Sequence, residues 1–380
     1  MRPLILPSLG AFVVTLAFVV SAHAAPEVSH VMMRGSFRTW DGDMPAGSTA
    51  SADQGAGRLS LGLRLASNAD LVLATSGGTT TTDLGAGEAR LARLADLASS
   101  LYLRLADDRL LLQAAASVPL GDATVTRAEA PVLETVAMPL LDFDLRDYAG
   151  GLELGGTATW RAVMGPTFGL ALGAGTMWRG GYELIVDEGE FRPAMEWAFT
   201  AGTDLGPHDE GAPSPARVDL TWRGFGTDRL ADVPVFRQGG QWETRLSGQR
   251  AFGALRTSGS LSSVWKRANT LLASSGTVIG ETQSGSGDQL GLRLRADHDL
   301  GAIVTLGLVA DHLRGRNSDD PRRNGHSTGV GPVLVVDATR TLEFELSARY
   351  ASGRIEPSIG AGTRSLDGSA WGLRLRWSPE

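Results

Sequence analysis

From Arg58 onward the chain places a leucine at every second position: Leu59, Leu61, Leu63 and Leu65 alternate with Ser60, Gly62 and Arg64. Successive side chains of a strand point to opposite faces, so this alternation predicts a strand with one apolar and one polar face. The pattern recurs. Leu101, Leu103 and Leu105 oppose Tyr102 and Arg104; after a tight turn, Leu110, Leu112 and Ala114 oppose Arg109 and Gln113. Leu152, Leu154, Ala158 and Trp160 oppose Glu153 and Arg161, and Phe168, Leu170 and Leu172 oppose glycine and alanine. Phe191, Met195, Trp197 and Phe199 oppose Arg192 and Glu196. Val218, Leu220 and Trp222 oppose Arg217, Asp219 and Arg223; Trp242 and Leu246 oppose Glu243 and Arg245; a weaker run spans 255–265. Further segments lie at 289–297, 304–311, 329–336 and 342–350, and the last, 371–377, sets Leu373 and Leu375 against Arg374 and Arg376.

These segments amount to about 14 strands, give or take about two, most of them about 8 to 12 residues long, which is the span of tilted strands crossing a bilayer. The links alternate in length. Short ones lie near 107–108, 163–166, 250–253, 298–301 and 338–340; longer ones lie near 66–96, 119–149, 225–238, 267–286, 314–326 and 351–367. Short turns at one end and long loops at the other are the rhythm of an outer-membrane barrel. Within 66–96, "ADLVLA" at 69–74 has the makings of one more strand. The predicted fold is all-β, a transmembrane antiparallel β-barrel over 58–380, because in hydrocarbon only closure gives every strand backbone group a partner. The competing fold is a water-soluble antiparallel sheet in the periplasm, with shorter, uneven strands and a common apolar core.

The two parities then acquire meanings. Of nine tryptophans, Trp160, Trp178, Trp197, Trp222, Trp242, Trp265, Trp371 and Trp377 share the apolar parity, mostly near strand ends. Aromatic girdles at the two membrane interfaces call for that placement. The polar parity predicts the lumen lining. It comprises Arg64, Arg104, Arg109, Arg161, Arg192, Arg217, Arg223, Arg245, Arg293, Arg295, Arg349, Arg374 and Arg376, with the acids Glu153, Glu196, Asp219, Glu243, Glu343 and Glu345. Arginine outnumbers acid on that wall. A cationic wall favours anions; arginines paired to acids on neighbouring strands would instead only hold the barrel in shape.

The first 24 residues carry an early arginine, an apolar stretch and a small-x-small ending at Ala22-His23-Ala24, the form of a secretory signal peptide. Residues 25–57 then read as an N-terminal periplasmic extension or plug. The partly apolar stretch 119–149 is a second candidate for entering the barrel, or for a short membrane-surface helix. A formal charge of -7 gives no reason to expect nucleic-acid binding. The absence of cysteine excludes disulfides, iron–sulfur clusters and a thiol nucleophile.

No catalytic or metal site is predicted, and no cofactor. Asp311 and His312 near Ser327 are the one constellation to consider, but adjacent strand residues face opposite ways. No His-Glu-x-x-His spacing occurs. The expected partners are outer-membrane lipid, lipopolysaccharide and, during insertion, the barrel-assembly machinery, with the protein a monomer in the outer membrane of a Gram-negative bacterium.

Stretches such as "LLLQAAASVPLG" and "LALGAGTMWRGGYELI" resemble strands of the broad group of Gram-negative outer-membrane β-barrel proteins. In layout the chain is distantly similar to the 14-stranded long-chain fatty-acid and aromatic-hydrocarbon transporters. That resemblance implies an N-terminal hatch and hydrophobic substrates, but the Asn-Pro-Ala signature of such a hatch is missing. The function expected is an outer-membrane channel or passive transporter for small solutes. A structural or adhesion barrel with a closed lumen, or a soluble periplasmic binding protein, are the alternatives.

Overall fold

The computed structural model describes residues 26–43, 49–83, 87–122, 124–136, 138–145, 150–206, 216–282, 287–317, 324–356 and 364–379. The expected leader, residues 1–24, lies outside the described residues. In chain order the elements are β1 (Glu27–Asp43), β2 (Thr49–Ala66), β3 (Ala69–Asp83), β4 (Glu88–Leu94), β5 (Leu97–Leu105), β6 (Leu110–Val118) and the helix α1 (Ala130–Val136). There follow β7 (Glu153–Val163), β8 (Phe168–Arg179), β9 (Tyr182–Glu183), β10 (Glu190–Arg192), β11 (Glu196–Leu205), β12 (Ala216–Phe225), β13 (Thr227–Leu230), β14 (Val233–Arg237), β15 (Gln241–Phe252) and β16 (Leu255–Lys266). The last are β17 (Asn269–Leu272), β18 (Val278–Thr282), β19 (Gly287–Asp299), β20 (Val304–Arg316), β21 (Gly325–Thr339), β22 (Leu342–Ile355) and β23 (Arg364–Trp377).

Each long strand pairs antiparallel with the next, and β1 pairs with β23 from Val31↔Trp377 to Gly42↔Leu366, which closes the ring. β4 and β5 both pair with β3 and form one wall strand interrupted at Ala95–Asp96. The barrel therefore has 16 strands, not about 14. The two extra strands are β1 and β3. Residues 27–43, expected in an extension or plug, are wall, as is 49–57; and 66–96, expected as a loop, is β3 and β4. "ADLVLA" is the lower half of β3. The predicted strand at 191–199 also shifts. Phe191 and Arg192 belong to β10, and the wall strand β11 starts at Glu196.

Register fixes which face each residue occupies. Leu59, Leu246, Leu294, Leu306 and Leu373 stand exposed on the outside, where a membrane would cover them, and the arginine parity points inward. Both ends of the described chain lie at the short-turn end of the barrel. The wall is uneven in height: β1, β2 and β3 run 17, 18 and 15 residues, but β6 runs 9 and β11 and β12 run 10 each. At the loop end, three successive hairpin loops join into a second sheet in the order β18-β17-β14-β13-β10-β9. Phe191 stacks on Phe236 with ring centroids 6.4 Å apart and meets Tyr182 edge-on at 5.9 Å.

Candidate functional site: the lumen and its inward loop

The connection between β6 and β7 folds into the barrel. Thr126 opens the turn that leads into α1, its backbone N–H and hydroxyl both donating to Glu129 at 2.9 and 3.0 Å. The turns that follow bury Val132, Val136, Leu140, Leu141, Phe143 and Leu145. They pack against inward-facing Trp40, Ala52, Leu91, Ala351 and Leu366 of the wall. Burial of about six such side chains, at roughly 1.5–3 kcal/mol each, supplies on the order of 10 kcal/mol to hold the loop. Of the two candidate segments, the one at 119–149 enters, through its described residues 124–136 and 138–145; 123, 137 and 146–149 lie outside the described residues.

Polar contacts set its position. Trp40 Nε1 donates to Leu141 O at 2.8 Å, Ser327 Oγ to Leu140 O at 3.0 Å, and Gln54 makes a reciprocal pair with the backbone of Leu145, at 2.7 and 2.9 Å. Arg38 grips Asp142 with 2.9 Å between Nη1 and the carboxylate, Arg349 reaches the same carboxylate at 3.4 Å, and Arg34 meets Asp144 at 3.1 Å. Trp40, Gln54 and Arg38 were absent from the sequence-based site. Their signal was faint: an indole, an amide and a guanidinium on the parity that faces inward.

Most predicted lumen residues do line the inside, and most are paired. Arg64, Asp70 and Arg104 form one chain, with Arg104 Nη2 2.8 Å from Asp70. Glu153, Arg179, Glu196 and Arg223 form a belt across β7, β8, β11 and β12 at 2.7–2.9 Å, and Glu243 closes its far end at 4.0 Å. Arg161 and Arg217 share Asp204, and Arg217 also takes Asp219 at 2.8 Å. Glu345 sits between Arg295 and Arg374 at 3.0 and 2.9 Å, and Arg374 also reaches Glu343 at 2.9 Å. Arg349 binds Asp311. Two predicted residues stand elsewhere: Arg192 pairs with Glu190 and Asp232 in the second sheet, and Arg109 lies in the short turn before β6.

Arg245 and Arg293 differ. Among the described residues neither forms an ion pair: on β16 they stand beside Ser262 and Ser260, and the acids opposite them on their other sides, Asp219 on β12 and Asp311 on β20, bond Arg217 and Arg349 instead. They face a cavity of about 860 Å³ lined by six arginines (Arg104, Arg161, Arg217, Arg245, Arg293, Arg295) and two aspartates (Asp108, Asp204). A narrower space of about 350 Å³ continues between Arg293 and Arg295 and the loop carboxylates Asp142 and Asp144. The inward loop thus presents carboxylates, and the wall β12–β19 presents arginines.

All eight tryptophans expected in the girdles are on the outer face. Trp222, Trp242 and Trp265 sit side by side in register on β12, β15 and β16, with Trp197 and Trp178 on the two strands before them. These five stand toward the loop end; Trp160 and Trp377 stand toward the opposite end. The remaining tryptophan is Trp40, inside. Asp311, His312 and Ser327 do not meet: His312 Nδ1 lies 2.8 Å from Thr328 Oγ1 on the outer face, while Asp311 and Ser327 point inward to Arg349 and Leu140.

No protein-family model matches the chain, and no curated protein sequence matches it. Among solved structures it is similar to the CymD monoaromatic hydrocarbon channel at a TM-score of 0.44 and 10% identity, covering 97% of this chain and 92% of that one. OpdL from Pseudomonas aeruginosa scores 0.45 at 11% identity (93% and 99%), and an anion-selective porin from Comamonas acidovorans 0.42 at 9% (93% and 100%). At such scores these likenesses lend no residue role or substrate to this chain. The similarity in layout to 14-stranded fatty-acid transporters does not hold, because the wall has 16 strands and its first segment is wall rather than hatch.

Proposed function

We propose that the protein is a passive channel for small solutes in the outer membrane of a Gram-negative bacterium, with a mild preference for anions. The observation that carries this reading is the inward pair Arg245 and Arg293, which form no ion pair among the described residues and face the same cavity inside the barrel. Paired arginines hold the wall; unpaired ones leave a positive potential for a passing anion. The test is planar-bilayer conductance of the refolded mature protein under a potassium chloride gradient. A reversal potential on the chloride side, reduced in Arg245→Gln/Arg293→Gln, is expected. Cation selectivity would sink the anion preference. Insertion without conductance would favour a structural barrel whose lumen the loop closes.

A further inference from the structure

The outer face of β20–β23 and β1 carries two features that the lumen does not explain, on the same strands. At the loop end, Arg314, His326 and Arg354 are directly opposite one another across β20, β21 and β22. All three are exposed, and neither arginine has a carboxylate partner among the described residues. Strands about 4.8 Å apart put the two guanidinium-bearing residues about 10 Å from each other, with the imidazole between. Two guanidiniums on one face with no carboxylate paired to either leave a positive potential that favours an anion lying between them. Of the carboxylates on this face, Asp367, below the row, accepts a hydrogen bond from Tyr350 at 3.0 Å, and Glu356, two residues beyond Arg354, accepts one from Asn324 at 3.1 Å.

Lower on the same wall the outer surface has a dent of about 520 Å³ with an almost wholly apolar lining. Its floor is made by small or ring-shaped residues, Gly35, Ala348 and Pro332, and its rim by Phe37, Leu346 and Trp371. A Cβ on Gly35 would meet nothing within 4 Å. The pairing of β21 with β22 skips Gly331 and Pro332, the latter having no N–H to donate. Ala348 is six residues below Arg354, about 20 Å along the strand and, at a tilt of about 40°, about 15 Å in depth. That is about half the thickness of a bilayer's hydrocarbon core.

We propose that this face binds one phosphorylated, acylated lipid of the outer leaflet, its phosphate on Arg314, His326 and Arg354 and an acyl chain in the dent at Gly35. Charge selects the phosphate, and the depth from row to dent matches an acyl chain hung from it. The binding rests on the barrel's place in the outer membrane but not on its conducting: a barrel that holds lipid without passing ions would overturn the channel reading alone.

The test is native mass spectrometry of the delipidated, refolded barrel with diphosphoryl lipid A as probe, against a non-phosphorylated glycolipid with the same acyl chains, and with inorganic phosphate as competitor. Wild type should retain one diphosphoryl lipid A. Arg314→Gln/Arg354→Gln should weaken retention about ten- to a hundredfold, since charge-assisted bonds are lost. Gly35→Trp, which fills the dent and leaves the row intact, should weaken it independently, while inorganic phosphate should not displace the lipid. Equal retention of the non-phosphorylated glycolipid, displacement by phosphate alone, or unchanged binding in either variant would overturn the proposal. Should the double variant fail to insert, the Gly35→Trp result decides.

Discussion

Gln54 fastens the inward loop to the wall, and its replacement by leucine makes a demanding test. The side chain is 2% exposed. Its amide donates to Leu145 O at 2.7 Å and to Thr80 Oγ1 at 3.0 Å, and accepts from Leu145 N at 2.9 Å. Leucine preserves the bulk but leaves the buried Leu145 amide and carbonyl without these partners. An orphaned buried polar group costs about 1–3 kcal/mol, so the docked loop should lose roughly 2–3 kcal/mol relative to an undocked one. That raises the undocked population about 30- to 150-fold. The chain has no cysteine, so a single Val132→Cys on α1 gives an unambiguous probe at a side chain that is 0% exposed. Maleimide labelling of this cysteine under conditions where redocking outpaces reaction reads the undocked population. Its rate should rise by that factor when Gln54→Leu is added, and single-channel current should become noisier. An unchanged labelling rate would refute the idea that Gln54 holds the loop.

Three further outcomes are expected. Asp228, in the second sheet, has its carboxyl raised above the ordinary value, chiefly by burial, although Ala194 N–H and Gln238 donate to it. The folded sheet therefore holds this proton more tightly than the unfolded chain, and its stability falls as pH rises from the ordinary carboxyl value through the raised one. Proteolytic nicking between 226 and 240 should be slower at pH 4.5 than at pH 7, and Asp228→Asn should remove the difference. Glu345→Gln takes away the carboxylate shared by Arg295 and Arg374, so the reversal potential should move further toward chloride, opposite in sign to Arg293→Gln. Gly331→Ala would put a Cβ 1.8 Å from Ala348 O and should destabilise the barrel to urea by about 1–3 kcal/mol, whereas Gly35→Ala, with open space around it, should cost nothing measurable.

Strands were legible where one face meets the apolar band and illegible where it does not. The lower part of β2 reads clearly through Leu59, Leu61 and Leu63; its upper part, "TASADQGAG", is polar or small on both faces. The threonine run of β3 has the same problem. β1 hides differently: it mixes Met33 and Phe37 outside with Arg38 and Trp40 inside, because above the membrane band its inner face packs on a loop instead of water. Phe191 misled by keeping the parity of Phe199 across Pro193, where one strand ends in the second sheet and the wall begins anew. Which charges point inward was readable from parity except at Arg109 and Arg192; which of them are paired was not, because pairing depends on register between strands distant in sequence, as Arg295 with Glu345 shows.

Closure through β1 and β23 makes the starting point of the ring arbitrary. Val31 lies opposite Trp377, and every other wall pairing joins sequence neighbours. Two antiparallel strands need only about two linking residues. A circularly permuted chain, joined from β23 to β1 by such a turn and cut between Gly253 and Ala254, should therefore build the same ring behind a transplanted leader, with β15 and β16 meeting at the new seam.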